Sequence, residues 1–80
     1  MTINVRAFGI AKEIFEKSAV EIEWNQTDNV GYLKALLEKK YPELKKLSSY
    51  MIAVNNEYGE DSTTINLKDE VAIIPPVSGG

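Results

Sequence analysis

Ala19-Val20-Glu21-Ile22-Glu23-Trp24-Asn25-Gln26-Thr27-Asp28-Asn29-Val30-Gly31-Tyr32-Leu33-Lys34-Ala35-Leu36-Leu37 decides the fold, because the hydrophobic period changes within it. From Ala19 to Asn25 apolar and polar residues alternate without fault. Val20, Ile22 and Trp24 therefore share the core face of a strand, and Glu21 and Glu23 face water. After Gln26-Thr27-Asp28-Asn29, which supplies several candidate helix N-caps, Val30, Leu33, Leu37 and the adjoining Leu36 recur at helical spacing. Gly31 weakens that helix by up to about 1 kcal/mol relative to alanine, so tertiary packing must hold it. Pro42 biases Tyr41 away from helical geometry and closes it.

Working outward, residues 2–8 read as a first strand, with Ile3, Val5 and Ala7 on one side and Asn4, Arg6 and Phe8 on the other. Gly9 breaks it, and a short helix is expected over residues 10–17. The two strands form a hairpin-like pair. Beyond the main helix, Leu44 and Leu47 continue packing along the returning segment. Residues 50–55 form a third strand, Asn56 to Thr64 is polar and turn-rich, and a brief fourth strand is expected around residues 62–65. Leu67-Lys68-Asp69 turns the chain into the last strand, 70–74. One main helix covering one face of a mixed sheet is an α+β two-layer domain, with the element order of a β-grasp, as in ubiquitin. Residues 1–76 make this domain, and Val77, Ser78, Gly79 and Gly80 make a flexible Gly-Gly tail.

Eighty residues leave room for one core. A domain of this size, with a radius of gyration of about 12 Å, docks rather than engulfs. The chain contains no Cys and no His. That excludes disulfides, thiolate nucleophiles, the usual zinc sites and imidazole acid–base chemistry, and no metal site is expected. A net charge of −3 disfavours a nucleic-acid partner. Lys39-Lys40 and Lys45-Lys46 suit solvated helix ends. No apolar run approaches the ~20 residues of a membrane span, and Met1 to Arg6 is no signal peptide. The cytosol is the expected compartment.

Strand parity also marks a patch. Val71 and Ile73 share one face of the last strand; Glu70, Ala72 and Ile74 share the other. An unpaired Glu70 is costly to bury, so its face is the open one. Asn4 and Arg6 mark the same face of the first strand. Phe8, Ala72 and Ile74 are then expected to lie exposed beside the chain end, where a contiguous apolar cluster reads as an interface.

The ending itself, Ile74-Pro75-Pro76-Val77-Ser78-Gly79-Gly80, is a thin stalk. Pro75 and Pro76 hold its base extended. The last two residues carry no Cβ to collide with a narrow channel, and four residues after Pro76 reach about 13 Å at ~3.3 Å each. A terminal carboxylate, ionised above a pKa of about 3.3–3.7, is a poor acyl electrophile until activated. With Cys and His absent, the expected reactive group is this terminus, activated as an acyl-adenylate by a partner that uses ATP. No cofactor is expected on the chain itself.

These residues resemble a known family. Asp69-Glu70-Val71-Ala72-Ile73-Ile74-Pro75-Pro76-Val77-Ser78-Gly79-Gly80 is similar to the end of molybdopterin synthase small subunits (the MoaD family). Ala53-Val54-Asn55 and Ile3-Asn4-Val5-Arg6-Ala7-Phe8 with the helix after it are also similar. The resemblance implies a ubiquitin-like sulfur carrier that is no enzyme by itself. Gly80 would be adenylated by an E1-like adenylyltransferase and converted to a thiocarboxylate by a sulfur donor enzyme. The tail would then enter the large subunit of molybdopterin synthase, within a heterotetramer, and give its sulfur to cyclic pyranopterin monophosphate (precursor Z). Partner-binding positions implied by the family fall at Phe8, Tyr58 and Ile74, beside Pro75 and Pro76. One departure is plain: the family's Asp-Gly-Asp-Glu-Val turn is here Leu67-Lys68-Asp69-Glu70-Val71, without glycine. Alternatives of the same fold are a thiamine-pathway sulfur carrier and a ubiquitin-like modifier joined to lysines. A small interaction domain with an inert tail is the plainest reading.

Overall fold

A computed structural model describes residues 1–25, 28–47 and 49–75. In chain order the elements are β1 (Thr2–Ala7), α1 (Gly9–Phe15), β2 (Ala19–Glu23), α2 (Val30–Lys40), a 3-10 helix (Pro42–Lys46), β3 (Met51–Val54), β4 (Glu57–Gly59) and β5 (Val71–Ile74). The five strands form one sheet in the order β2-β1-β5-β3-β4. β1 and β5 run parallel, and every other neighbouring pair is antiparallel. The last strand thus lies at the centre, between the first and the third. This is the expected α+β β-grasp, with a radius of gyration of 11.7 Å.

The alternating strands place their apolar sets as parity requires. Ile3, Val5, Ala7, Val20, Ile22, Ile52, Val54, Val71 and Ile73 are buried on one face of the sheet. Against them α2 lays Val30, Leu33 and Leu37, all fully buried, and α1 adds Ala11 and Phe15. Truncating a buried leucine such as Leu33 to alanine would cost about 2–5 kcal/mol, because the cavity closes only in part. Trp24 is buried too, and its indole N–H donates to the Ile65 carbonyl at 2.9 Å, so the polar end of a large ring stays satisfied.

The first turn of α2 shows how a helix with Gly31 near its start is held. Its amides find partners outside the helix ladder: Val30 N–H donates to Thr63 O, Gly31 N–H to Asp61 O, and Tyr32 N–H to the Asn29 side chain, each at 2.9 Å. The donors that a helix start leaves open are thereby closed by the 61–63 loop and by the cap. A Cβ on Gly31 would sit 3.4 Å from Asp61, so the small residue lets that loop approach closely. At the far end Tyr41 leaves helical geometry before Pro42, as expected. The returning segment then winds into the 3-10 helix, which buries Leu44.

Two expectations are corrected. The short helix ends at Phe15 rather than residue 17, because Glu16 takes a left-handed φ of 60° and terminates it. The fourth strand lies at Glu57–Gly59, not around residues 62–65. Asn55 and Asn56 both have positive φ, 54° and 69°. They form the tight two-residue turn that suits a hairpin, so the chain pairs back at once, with Val54 opposite Glu57. Around residue 64 there is an isolated bridge from Thr64 to Asn29. The glycine-free turn before β5 closes with Asp69 N–H donating to Asn66 O at 3.0 Å, and the Asp69 carboxylate accepts from Asn66 N–H. No helix among the described residues is long and apolar enough to cross a membrane.

Candidate functional site at the root of the chain end

β5 runs through the middle of the sheet and carries the chain to Pro75. Pro76, Val77, Ser78, Gly79 and Gly80, the residues expected to form the stalk and its reactive end, lie outside the described residues. Pro75 meets the start of α1. Gly9 there has φ +55°, and a Cβ built on it would stand 3.1 Å from the Pro75 ring. Gly9 is thus the residue that lets the root of the tail pass close to the first helix, both by its backbone conformation and by its missing side chain.

The face of the sheet away from α2 can be read from register. Arg6 lies opposite Ala72, Ala72 opposite Ala53, and Ala53 opposite Tyr58, one continuous row across four strands. One step nearer the chain end, Ile74 lies opposite Met51. Phe8 follows Ala7, whose partner is Ile73, and so stands on the other side of Ile74. Phe8 is 46% exposed, Met51 45% and Tyr58 64%. The Arg6 guanidinium stands 5.8 Å from the centre of the Phe8 ring, a cation–π distance.

Phe8, Ala72 and Ile74 therefore share one face beside Pro75. Ala72 and Ile74 were expected exposed and are only partly so, because neighbours flank both: Arg6 and Ala53 beside Ala72, Phe8 and Met51 beside Ile74. Tyr58 belongs to the same face but lies on an outer strand, β4, three strands across from β1, which leads into Phe8. Met51 and Ala53 extend the patch between them and were not singled out in the sequence. The available signal was the parity of residues 50–55: once Ile52 and Val54 face the core, Met51 and Ala53 must face away.

Near the centre of this face is a shallow hollow bounded by Arg6, Ala53, Asn56, Glu70 and Ala72. Glu70 anchors one rim: its N–H donates to the Asn55 side-chain oxygen at 3.0 Å, and its carbonyl accepts from Asn55 N–H at 2.8 Å. The Asn55 amide donates in turn to Asp69 at 3.0 Å. Tyr50, the strongly perturbed titratable group among the described residues, stands elsewhere, between α2 and β3. There Tyr50 donates to the Glu38 carboxylate, and Lys34, 3.2 Å from Asp61, lies 5.6 Å over the tyrosine ring. Burial, the bond to Glu38 and the charges of Glu38 and Asp61 all push the Tyr50 hydroxyl well above the usual phenol range.

A mixed five-stranded sheet covered on one face by the main helix, with the last strand at its centre, defines a ubiquitin-like β-grasp protein. The chain belongs to the ThiS family, whose model matches residues 5–80. It is 36% identical over 81 residues to the molybdopterin synthase sulfur carrier subunit of Dictyostelium discoideum, covering 96% of this chain and 94% of that one. Among solved structures, it is 30% identical to a chain in the protein–protein complex of subunits 1 and 2 of molybdopterin-converting factor from Helicobacter pylori 26695. That match has a TM-score of 0.68 and covers all of both chains. The small archaeal modifier protein 1 of Haloferax volcanii superposes with a TM-score of 0.81, over 95% of this chain and 98% of that one; at 19% identity this speaks to the fold.

Proposed function

We propose that this chain is the sulfur carrier subunit of molybdopterin synthase and that Gly80 carries the sulfur. The observation that carries the reading is the course of β5: the strand most enclosed by the sheet ends at Pro75, against Gly9 and beside Phe8 and Ile74. Similarity along the full length to a sulfur carrier subunit supports it. An E1-like adenylyltransferase joins the Gly80 carboxylate to AMP from ATP, releasing pyrophosphate. A sulfur donor enzyme then supplies sulfur at the sulfide level, which attacks the acyl carbon and displaces AMP, leaving a thiocarboxylate. The tail residues Val77, Ser78 and Gly79 thread into the large subunit, where the sulfur passes to precursor Z. The open face, with Phe8, Met51, Ile74, Pro75 and Tyr58, docks on that subunit. The Helicobacter pylori complex of two subunits supports a partner of this kind, and two copies of each subunit would make the heterotetramer. Nothing in this scheme asks for a catalytic side chain on the carrier.

Intact-mass analysis tests the reading. The chain is incubated with the adenylyltransferase, ATP and a sulfur donor; replacement of one oxygen by sulfur at Gly80 is expected. An unchanged mass, with an activating enzyme shown to be competent, overturns it. Addition of the large subunit and precursor Z should then yield molybdopterin and return the carboxylate. Higher-mass lysine adducts in cells would instead favour the modifier reading, and sulfur transfer only to a thiazole-forming system the thiamine-pathway one.

A further inference from the structure

β2 is an outer strand of the sheet, and the direction of its backbone groups follows from two bonds at its ends. Trp24 N–H donates to Met1 O and Ala7 N–H to Ser18 O, each at 2.9 Å. With Thr2 opposite Glu23 and Val5 opposite Val20, antiparallel alternation turns the N–H and C=O groups of Val20 and Ile22 toward β1. Those of Ala19, Glu21 and Glu23 point outward. Among the described residues, no backbone group pairs with Glu21 or Glu23 from the outer side.

Beside this edge runs a groove of about 310 Å³ between β2 and α2, lined by Ile22, Leu36, Lys39 and Lys40 together with the two glutamates. Ile22 and Leu36 make it apolar, and the lysine stems extend its wall while their ammonium groups stay in water. Exposed edges are commonly blunted by charge. Here the charge selects: pairing of β2 with a second copy would set glutamate against glutamate, which is unfavourable. A strand with lysine or arginine at alternate positions would meet Glu21, and Glu23 in competition with the Met1 amino group 3.9 Å from it, with opposite charge. Its intervening residues would point into the groove, where apolar side chains fit.

We propose that the outer edge of β2 and the groove beside it form a strand-addition site for an extended segment of a partner protein in which basic and apolar residues alternate. Backbone bonds to Glu21 and Glu23 supply the attachment, and the two faces of the added strand supply the selection. The site lies across β1 from the root of the chain end, so it does not depend on the sulfur-carrier reading.

The test uses the isotope-labelled full chain and a capped heptapeptide alternating lysine and valine, followed by nuclear magnetic resonance. The amides of Glu21 and Glu23 should shift and exchange with solvent roughly tenfold more slowly, with accompanying shifts at Ile22, Leu36 and Lys39. A peptide with glutamate in place of lysine should leave them unmoved. Glu21→Pro deletes an outward N–H that serves no strand of the fold, a position where proline is tolerated. It should keep the native spectrum and weaken binding by roughly tenfold or more. The proposal is overturned by absence of binding, by shifts confined to Phe8, Met51 and Tyr58, by self-association through β2, or by undiminished binding to a folded Glu21→Pro variant.

Discussion

Tyr50 is a half-buried phenol whose hydroxyl is pushed well above its usual range by burial and by Glu38. Because its folded pKa is raised, the folded protein keeps the phenol proton at a pH where the unfolded chain, near 10, has released it. The stabilisation is complete below that pH and is lost as pH climbs from there toward the raised folded value. Tyr50→Phe removes the bond to Glu38 and should cost about 1 kcal/mol at neutral pH. Urea unfolding from pH 8 upward should show the gap between wild type and variant closing above about pH 10; a constant gap contradicts the assignment. At the other extreme stands Gly80, which has no side chain. Gly80→Ala, or one added residue, should abolish sulfur transfer with the melting temperature unmoved. Full activity in either variant contradicts threading of a bare chain end.

At the level of elements, strands were legible wherever one face is buried. The alternation in Thr2–Ala7 and Ala19–Glu23 fixes both the elements and their facing, because a one-residue slip would put every apolar side chain into water. β4 was not legible, since its three residues, Glu57, Tyr58 and Gly59, bury no large side chain and leave no pattern. The signal sat in the turn before it, where adjacent asparagines adopt the two positive φ values of a tight hairpin. The cap of α2 was legible as a group, and the structure selects Asn29 from it. Asn29→Ala should destabilise the fold by about 1 kcal/mol in urea titrations, with Asn29→Asp retaining most of that. Equal losses in both would mean that the loop bonds to Val30 and Gly31, not the cap, set the helix start.

Across the whole molecule, one face of the sheet is covered and holds the core, and the other is open. The covered face was readable from periodicity. The open face was readable only in part, because a patch spread over four strands depends on their order, which local pattern does not contain. Phe8, just after β1, and Ile74, in β5, come from opposite ends of the sequence, and Met51 joins them only once β3 is known to flank β5. If this face docks on the large subunit, the energy should concentrate in the well-packed centre around the root of the chain end and fall toward the rim. Phe8→Glu and Met51→Glu should then weaken binding, measured calorimetrically, by more than tenfold, about 1.4 kcal/mol or more. Tyr58→Glu, on the outermost strand, should do so less. All three side chains are exposed, so stability should change by within about 0.5 kcal/mol. A larger loss at Tyr58 than at Met51 would move the centre of the interface to β4, away from the strand that delivers the chain end. Unchanged binding in all three would leave the tail alone to hold the complex, against the cost of ordering it, on the order of 1–2 kcal/mol per residue.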